Sequence, residues 1–498
     1  MYSTARLPYE ILENIFTLLA DDPHSSLYHC ALVCRDWKDT ANSVLWKKPV
    51  VGTKESKELC LAMAKQSPLL ASYIQEWSHE SKSLNAELLP FLPNLRNISY
   101  ILARTLKLEA FSRPWGLRRI DHLDYCATDG PRVFQDLVDH CPQLERLTIR
   151  INTLNEVASF EDWSSIRKVH SLKHLKIINS EYGVGKNQPS FIQSFTSRLP
   201  NLKSLEIESF SFNGHEIDGL SKNCHKLDDL SLITTILGQY QVDCLADELS
   251  NGIGERVKTL QLSVSRISKE ELNLAKIFSA LSSVSELSLH RFELDDESLQ
   301  ALVGCTQGSL TKLKLGFISP SSNGFFYYHT SAQLWDQFFA GVRNSLVDVT
   351  FNESFGNFRD MISSGVAKHC CKLQKLTIKH HDDSFVCPII RGCGRSLRHL
   401  EYSECFVTEN TLATIFDYTF NLESLVIKEH KHNTYRPKVN PQQFCGFLNR
   451  SVSLHHLTMV GVEVDDGTMA DIVKHKLTSV SLGKASPNRD VKPADSTH

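Results

Sequence analysis

From residue 95 onward one short phrase governs the chain, apolar-x-x-apolar-x-apolar, and it returns fifteen times. Copies begin at Leu95 (weakly), Ile120, Leu144, Leu172, Leu202, Leu227, Val257, Val284, Leu310, Leu346, Leu373, Leu397, Leu422, Leu454 and Leu477. Leu144-x-x-Leu147-x-Ile149, Leu172-x-x-Leu175-x-Ile177, Leu202-x-x-Leu205-x-Ile207 and Leu373-x-x-Leu376-x-Ile378 are the clearest. Most steps are 23 to 30 residues, with longer ones of 36 after Leu310 and 32 after Leu422. A period of this length is the mark of a solenoid built from strand-plus-helix units. One unit cannot bury its own apolar edge, whereas stacked units share a continuous core. The alternation Leu-x-Ile suits a short strand, and stretches such as Val133-Phe134-x-x-Leu137-Val138 suit the intervening helices.

A different pattern precedes the ladder. Pro8 stands where a helix can begin, since proline has no N–H to lose in the first turn. Ile11, Leu12, Ile15, Phe16 and Leu19 recur at three- and four-residue steps and give one broad apolar face. Asp21-Asp22-Pro23 ends that helix, and Ser25 or Ser26 suits the cap of the next. A second helix is expected through Leu27, Ala31 and Leu32. A third should follow Arg35, with Trp37, Ala41, Val44 and Leu45 inward. Helices this short hardly enclose a core for so many large side chains, and domains of this size usually need a disulfide, a metal or a partner. Two readings stay open: the helices cap the following domain, or Leu7, Pro8, Ile11, Leu12 and Ile15 remain partly exposed for a partner. Fully burying one such side chain contributes roughly 1.5–3 kcal/mol.

The ordered residues Leu7-Pro8-x-Glu10-Ile11-Leu12 and Leu32-Val33-Cys34-Arg35-x-Trp37, with Leu45-Trp46 beyond, resemble the F-box. That module docks a protein on the Skp-family adaptor of a cullin ubiquitin ligase. The resemblance covers about a tenth of the chain, and its departure is the Asp21–Leu27 stretch, where F-boxes vary in length. Positions matching the family's adaptor-facing residues are Leu7, Pro8, Ile11, Leu12, Ile15, Phe16, Leu32, Val33, Cys34 and Trp37. The ladder in turn resembles leucine-rich repeats of the cysteine-containing type; Leu397-x-x-Leu400-x-Tyr402-x-x-Cys405-x-x-Thr408 is its best copy, and many others lack the cysteine. Together the resemblances imply an α/β fold, with a three-helix F-box followed by a curved leucine-rich-repeat solenoid. They also imply the role of substrate receptor in a Skp–cullin–F-box (SCF) ubiquitin ligase, with an F-box and repeat scaffold in a non-degradative assembly, or a receptor assisted by a small ligand on its concave face, as the alternatives. The partners would be the Skp-family adaptor, the cullin and RING subunit reached through it, and a protein substrate. Chemistry would fall to the recruited ubiquitin-conjugating enzyme.

The expected division is 1–46 for the F-box, 47–90 for a helical junction, 91–482 for the solenoid and 483–498 for a disordered tail. In the junction, Leu59, Leu61, Met63 and Ala64 suggest a helix, and Tyr73-Ile74-x-x-Trp77 a degenerate first strand. At 498 residues the chain exceeds one ordinary globular domain. Its hydrophobic fraction of 41% and charged fraction of 22% describe a folded, soluble protein. A net charge of -3 gives no reason to expect nucleic acid or an acidic membrane as partner. No run of eighteen apolar residues exists, and the first residues lack the pattern of a secretory leader. The expected location is cytoplasmic, nuclear or both. Fourteen scattered cysteines suit reduced core thiols, and Cys141, Cys224 and Cys370 each fall three residues before a repeat's first leucine. Cys370-Cys371, His380-His381, Cys387 and Cys393 lack the Cys-x-x-Cys spacing of a zinc site, so neither metal nor other cofactor is expected.

In such a solenoid the x residue inside each strand lies on the open face. These positions include Thr148, Lys176, Glu206, Lys314, Thr377, Glu401 and Thr458, a polar row of mixed sign. That composition favours a protein or peptide over a lipid, although a solvated face would read the same. Late in the chain the face gains Lys379, His380, His381, Lys428, His430 and His432, which suits an acidic or phosphorylated segment. The insertion after Leu315 carries Phe325-Phe326-Tyr327-Tyr328, four aromatics that either anchor a partner or pack on the helix of Trp335, Phe338 and Phe339. The candidate substrate-binding residues are therefore Lys314, Phe325, Phe326, Tyr327, Tyr328, Thr377, Lys379, His381, Glu401 and Lys428. No catalytic residues are expected, because the phosphate-cradling, nucleophile-elbow and zinc-protease motifs are all missing. The acid pairs Asp295-Asp296, Asp382-Asp383 and Asp465-Asp466 suit turns and helix caps.

Overall fold

A computed structural model describes residues 8–19, 25–49, 54–77, 91–99, 101–102, 116–125, 132–151, 167–179, 191–211, 217–265, 272–282, 284–292, 294–316, 332–352, 358–429, 436–465 and 477–483, with Gly214, 467–469, Ile472 and His475. The chain divides into two compact units, Met1–Leu227 and Asp228–His498.

The first unit opens with helices α1 (Tyr9–Leu19), α2 (Ser25–Ala31), α3 (Arg35–Lys47), α4 (Lys54–Gln66) and α5 (Pro68–Tyr73). Strands β1 (Glu76–Trp77), β2 (Asn97–Ile98), β3 (Ile101–Leu102), β4 (Arg119–Tyr125), β5 (Arg146–Ile151), β6 (His174–Asn179) and β7 (Ser204–Ser211) follow, with helices α6 (Arg132–His140), α7 (Phe191–Thr196) and α8 (Leu220–Asn223). Ser67 caps α5 by accepting from the Leu70 amide, and Pro68 takes the first helical position, where its missing N–H costs nothing. Strand β1 pairs with β2 in parallel, and Trp77 is buried.

All strand pairings in this unit are parallel, and the second leucine of each phrase stacks on the next, Leu147 beside Leu175 beside Leu205. One copy starts earlier than its spacing suggests. Ile120 pairs with Leu147, the second apolar position, so Leu117 holds the place of Leu144. An extra residue between Ile120 and Leu123 forms a bulge that restores the frame at Ile149.

The second unit alternates more regularly. Its strands are β8 (Asp229–Ile236), β9 (Thr259–Val264), β10 (Glu286–His290), β11 (Lys312–Gly316), β12 (Asp348–Asn352), β13 (Lys375–Lys379), β14 (His399–Cys405), β15 (Ser424–Glu429), β16 (His456–Val460) and β17 (Ser479–Gly483). Between them lie α9 (Gln239–Glu248), α10 (Ala275–Ser279), α11 (Asp296–Thr306), α12 (Ala332–Val342), α13 (Arg359–His369), α14 (Asp383–Cys393), α15 (Glu409–Tyr418) and α16 (Pro441–Arg450). Each strand from β8 to β17 pairs in parallel with its sequence neighbour. The order is that of a solenoid, in which every unit contacts only the next.

Short polar side chains start the helices. Asp295, Asp382, Thr408 and Asn440 each accept an amide hydrogen bond at the first turn of α11, α14, α15 and α16. The core runs between the strand and helix layers, with Trp335 stacked on Phe339 at 6.0 Å inside α12. Cys141, Cys224 and Cys370 are fully buried at the helix-to-strand turns, where the Cys224 thiol faces the carbonyls of Thr196 and Leu199 at 3.7 and 3.8 Å. Among the described residues no helix is long and apolar enough to cross a membrane.

Candidate functional site

The N-terminal helices hold a small core and leave a second apolar set outside it. Leu12, Phe16, Leu27 and Ala41 form the core, with Leu19, Cys30, Ala31, Trp37, Val44 and Leu45 packed against it. Phe16 meets Trp37 edge to face at 5.4 Å. Leu12, Phe16 and Leu19 lie on one stripe of α1. Ile11 and Ile15, one helical turn apart, lie on a stripe about 100° away and are 46% and 40% exposed. The expectation that Leu12 and Phe16 face a partner is therefore corrected. Three helices enclose one stripe of α1, and the stripe nearest α2 and α3 takes that place.

The link between α2 and α3 completes the outer set. The amides of Leu32 and Val33 bond back to the carbonyls of His29 and Cys30, so the helix closes before Leu32 and its side chain leaves the core. Leu32 and Val33 are 67% and 62% exposed. Cys34, also exposed, adopts extended backbone at the start of α3, and its carbonyl accepts from Lys38 at 2.8 Å. Pro8 is exposed and its carbonyl accepts from Ile11 and Leu12, which starts α1. Trp37 is half-buried. Tyr9 and Tyr28, which the sequence pattern did not single out, add exposed rings, Tyr9 tied to Ser43 by a 3.2 Å hydrogen bond. Leu7 lies outside the described residues.

The strand face of the second unit carries the other predicted residues in defined register. Lys314, Thr350, Thr377 and Glu401 share one row across β11 to β14, and Lys379, Ser403 and Lys428 share another across β13 to β15. Lys314 and Lys428 are exposed, while Lys379 and Glu401 are half-buried, Glu401 accepting from the Ser403 hydroxyl at 3.1 Å. Thr377 is 7% exposed. His381 does not join this face. It is 4% exposed, because the chain turns inward after β13 and stacks its ring on Phe385 of α14 at 4.1 Å. His380 stays outside, paired with Glu404 at 2.9 Å. Phe325, Phe326, Tyr327, Tyr328, His430 and His432 lie outside the described residues, as does the tail from residue 484.

Charge is distributed unevenly between the units at the two x positions that separate the first and second apolar residues of each phrase. In the second unit, acids and bases alternate on adjacent strands: Glu286 meets Lys312 at 2.6 Å and Asp348 meets Lys375 at 3.4 Å. The hydrogen bond that the Lys312 ammonium donates to Glu286 is the main reason its pKa is raised. In the first unit the same gaps hold Arg96, Arg118, Arg119, Arg146, Lys173 and Lys203, with Glu145 the acid among them. Arg119 pairs with Asp121, and Lys173 with Glu145 at 3.4 Å. Arg96, Arg118, Arg146 and Lys203 are exposed and have no ion-pair partner among the described residues. A tally of gap residues repeat by repeat would have exposed this contrast in the sequence.

Among the described residues no group of three His, Cys, Asp or Glu side chains is placed to hold a metal. A cavity of ≈ 480 Å³ lies on the helix side between α15 and α16, floored by Leu412, Phe416 and Val439 and edged by Glu409, Lys438 and Asn440.

No curated protein matches the chain. Among solved structures, a chain of the Drosophila Toll–Spatzle complex aligns with a TM-score of 0.36 and 12% identity, over 76% of this chain and 48% of that one. This chain thus spans about half the length of that relative. A chain of the yeast Rad7–Elc1 complex aligns with a TM-score of 0.40 and 12% identity, over 94% of this chain and all of that one. Residues 4–51, which span the exposed apolar set, match the F-box-like family, and the chain therefore carries an F-box-like domain at its N-terminus.

Proposed function

We propose that this protein is the substrate-recognition subunit of an SCF-type ubiquitin ligase, with its F-box-like domain on a Skp-family adaptor and its repeats holding a protein substrate. The observation that carries this reading is the surplus apolar set Ile11, Ile15, Leu32 and Val33, exposed on a module that matches the F-box-like family. Each such side chain contributes roughly 1.5–3 kcal/mol when fully buried, so a few of them suffice as the centre of an interface. On this reading residues 1–46 are the docking module, 47–90 a junction, and 91–482 the recognition array. Ubiquitin transfer takes place on the recruited conjugating enzyme. The receptor's contribution is positional, raising the local concentration of substrate at the reacting thioester.

The test is co-purification of the full chain with a Skp-family adaptor and cullin. Ile11→Ala combined with Leu32→Ala should cut adaptor recovery at least about tenfold while leaving the melting temperature nearly unchanged, because both side chains lie outside the core. Leu12→Ala should instead lower stability by about 2–5 kcal/mol. Unchanged adaptor capture by the Ile11/Leu32 variant would remove this face from the interface. Adaptor without cullin would point to an assembly that does not ubiquitinate.

A further inference from the structure

We infer that the gap residues of the first unit form a recognition surface for a short acidic protein segment, carrying carboxylate or phosphate side chains, that runs across strands β2 to β7. This deepens the receptor reading and rests on it. The sequence pointed to the later repeats around Lys379 and Lys428; the pairing of charges points to the earlier ones.

Main-chain geometry places the cations. The Arg96 carbonyl accepts from both Arg118 and Arg119 at 2.8 and 3.1 Å, and the Arg118 carbonyl accepts from Glu145 and Arg146 at 2.8 and 3.0 Å. The Glu145 carbonyl takes Lys173 and His174, and that of Lys173 takes Lys203 and Ser204. Each gap is thereby tied to the next, and Asn97, Arg119, Arg146, His174 and Ser204 stand in one register row. Neighbouring strands lie about 4.8 Å apart, so the row from β2 to β7 extends about 19 Å, the reach of about six extended residues.

Electrostatics selects the occupant. Four exposed cations with no ion-pair partner among the described residues, Arg146 in that row and Arg96, Arg118 and Lys203 at the gap position just before it, attract an anion more strongly than the neutralised ladder of the second unit does. Three of them are arginines, whose planar fork matches carboxylate and phosphate oxygens in pairs. Glu145 is engaged by Lys173, and Glu76 on the flanking β1 is turned to Lys48 at 3.7 Å, so the nearby acids do not cancel the row. His174 is the one ring among the gap residues, none of which is Phe, Tyr or Trp, and the exposed Phe91 just ahead of the row lies beneath the Lys65 ammonium. A single-stranded nucleic acid, which needs free rings for its bases to stack on, fits less well than a peptide.

Fluorescence anisotropy with the full chain tests this, using labelled hexaglutamate, a phosphoserine peptide of equal length, hexaglutamine and a short oligothymidylate. Hexaglutamate, the phosphopeptide or both should bind, more weakly as salt rises, and hexaglutamine should not; which of the two is preferred identifies the anion. Arg118→Glu with Arg146→Glu should weaken binding at least about tenfold, and Lys379→Glu with Lys428→Glu should leave it within about twofold. Arg96→Ala with Lys203→Ala, a milder change at the two ends of the surface, should weaken it in the same direction even if the charge reversal perturbs folding. The inference is overturned if neither anionic peptide binds, if the Lys379/Lys428 variant is the one that loses binding, or if oligothymidylate binds more tightly than both peptides. Adaptor capture without peptide binding defeats this inference alone; peptide binding without adaptor capture defeats the receptor reading and leaves the surface standing.

Discussion

At the scale of single residues, burial sorts the cysteines into two chemical classes. Desolvation pushes the thiols of Cys141, Cys393 and Cys405 up to about 12 from an ordinary value of 9.0, because the thiolate loses its hydration in the apolar interior. Cys34 and Cys371 are exposed. Only the thiolate attacks an alkylating reagent, so iodoacetamide at mildly alkaline pH should label Cys34 and Cys371 in the native chain and leave the three buried thiols unmodified until unfolding. Peptide mapping by mass spectrometry reads this directly. Bound adaptor should then protect Cys34 and not Cys371. The same shifts carry a pH dependence: a thiol with a raised folded-state pKa contributes stability that is complete below pH 9 and lost as pH rises toward 12. Chemical denaturation should therefore show falling stability across that alkaline window, and Cys393→Ala should flatten the fall.

The same scale shows where sequence reading stopped. Ile11 and Leu12 are adjacent, equally apolar and both at helical spacing, and nothing in their period tells which stripe of α1 the other helices cover. His381 looked like its neighbour His380, yet the turn after β13 sends one ring under α14 and leaves the other beside Glu404.

At the scale of elements, the repeat phrase translated almost directly into strands, because a strict apolar spacing permits one register when one face is buried. The exception was β4, where the bulge after Ile120 displaces the phrase and the rhythm of spacings conceals Leu117 as its start. Helix contacts were less legible, since they depend on the absence of a side chain. Gly392 of α14 lies against α13 so closely that a Cβ there would overlap the Ala367 carbonyl. Gly392→Ala should therefore destabilise the second unit by roughly 1–3 kcal/mol, although alanine is the better helix former. Urea denaturation gives the comparison, with Gly304→Ala on α11, which meets nothing within 4 Å, as the neutral or slightly stabilising control.

At the scale of the whole molecule, stability and partnership are linked by mass action. A ligand that binds only the folded chain adds about 2.7 kcal/mol at a hundred times its Kd. Purified adaptor should thus raise the melting temperature of the docking module, and the Ile11/Leu32 variant should lose most of that gain. Two-ended organisation was legible early, since a short helical pattern precedes a long periodic one. The excess of bases in the first unit's gaps was legible too, repeat by repeat, but which of them are paired was not, because pairing is a property of neighbouring strands and appears only when the gaps are aligned.

That alignment has an evolutionary consequence. The gap residues are fixed in place by main-chain hydrogen bonds from one repeat to the next, while the leucines on either side of them supply the packing. Two positions in every repeat are therefore free to vary at little thermodynamic cost. A lineage can change what such a protein selects, one repeat at a time, without first solving the problem of how the altered chain will fold.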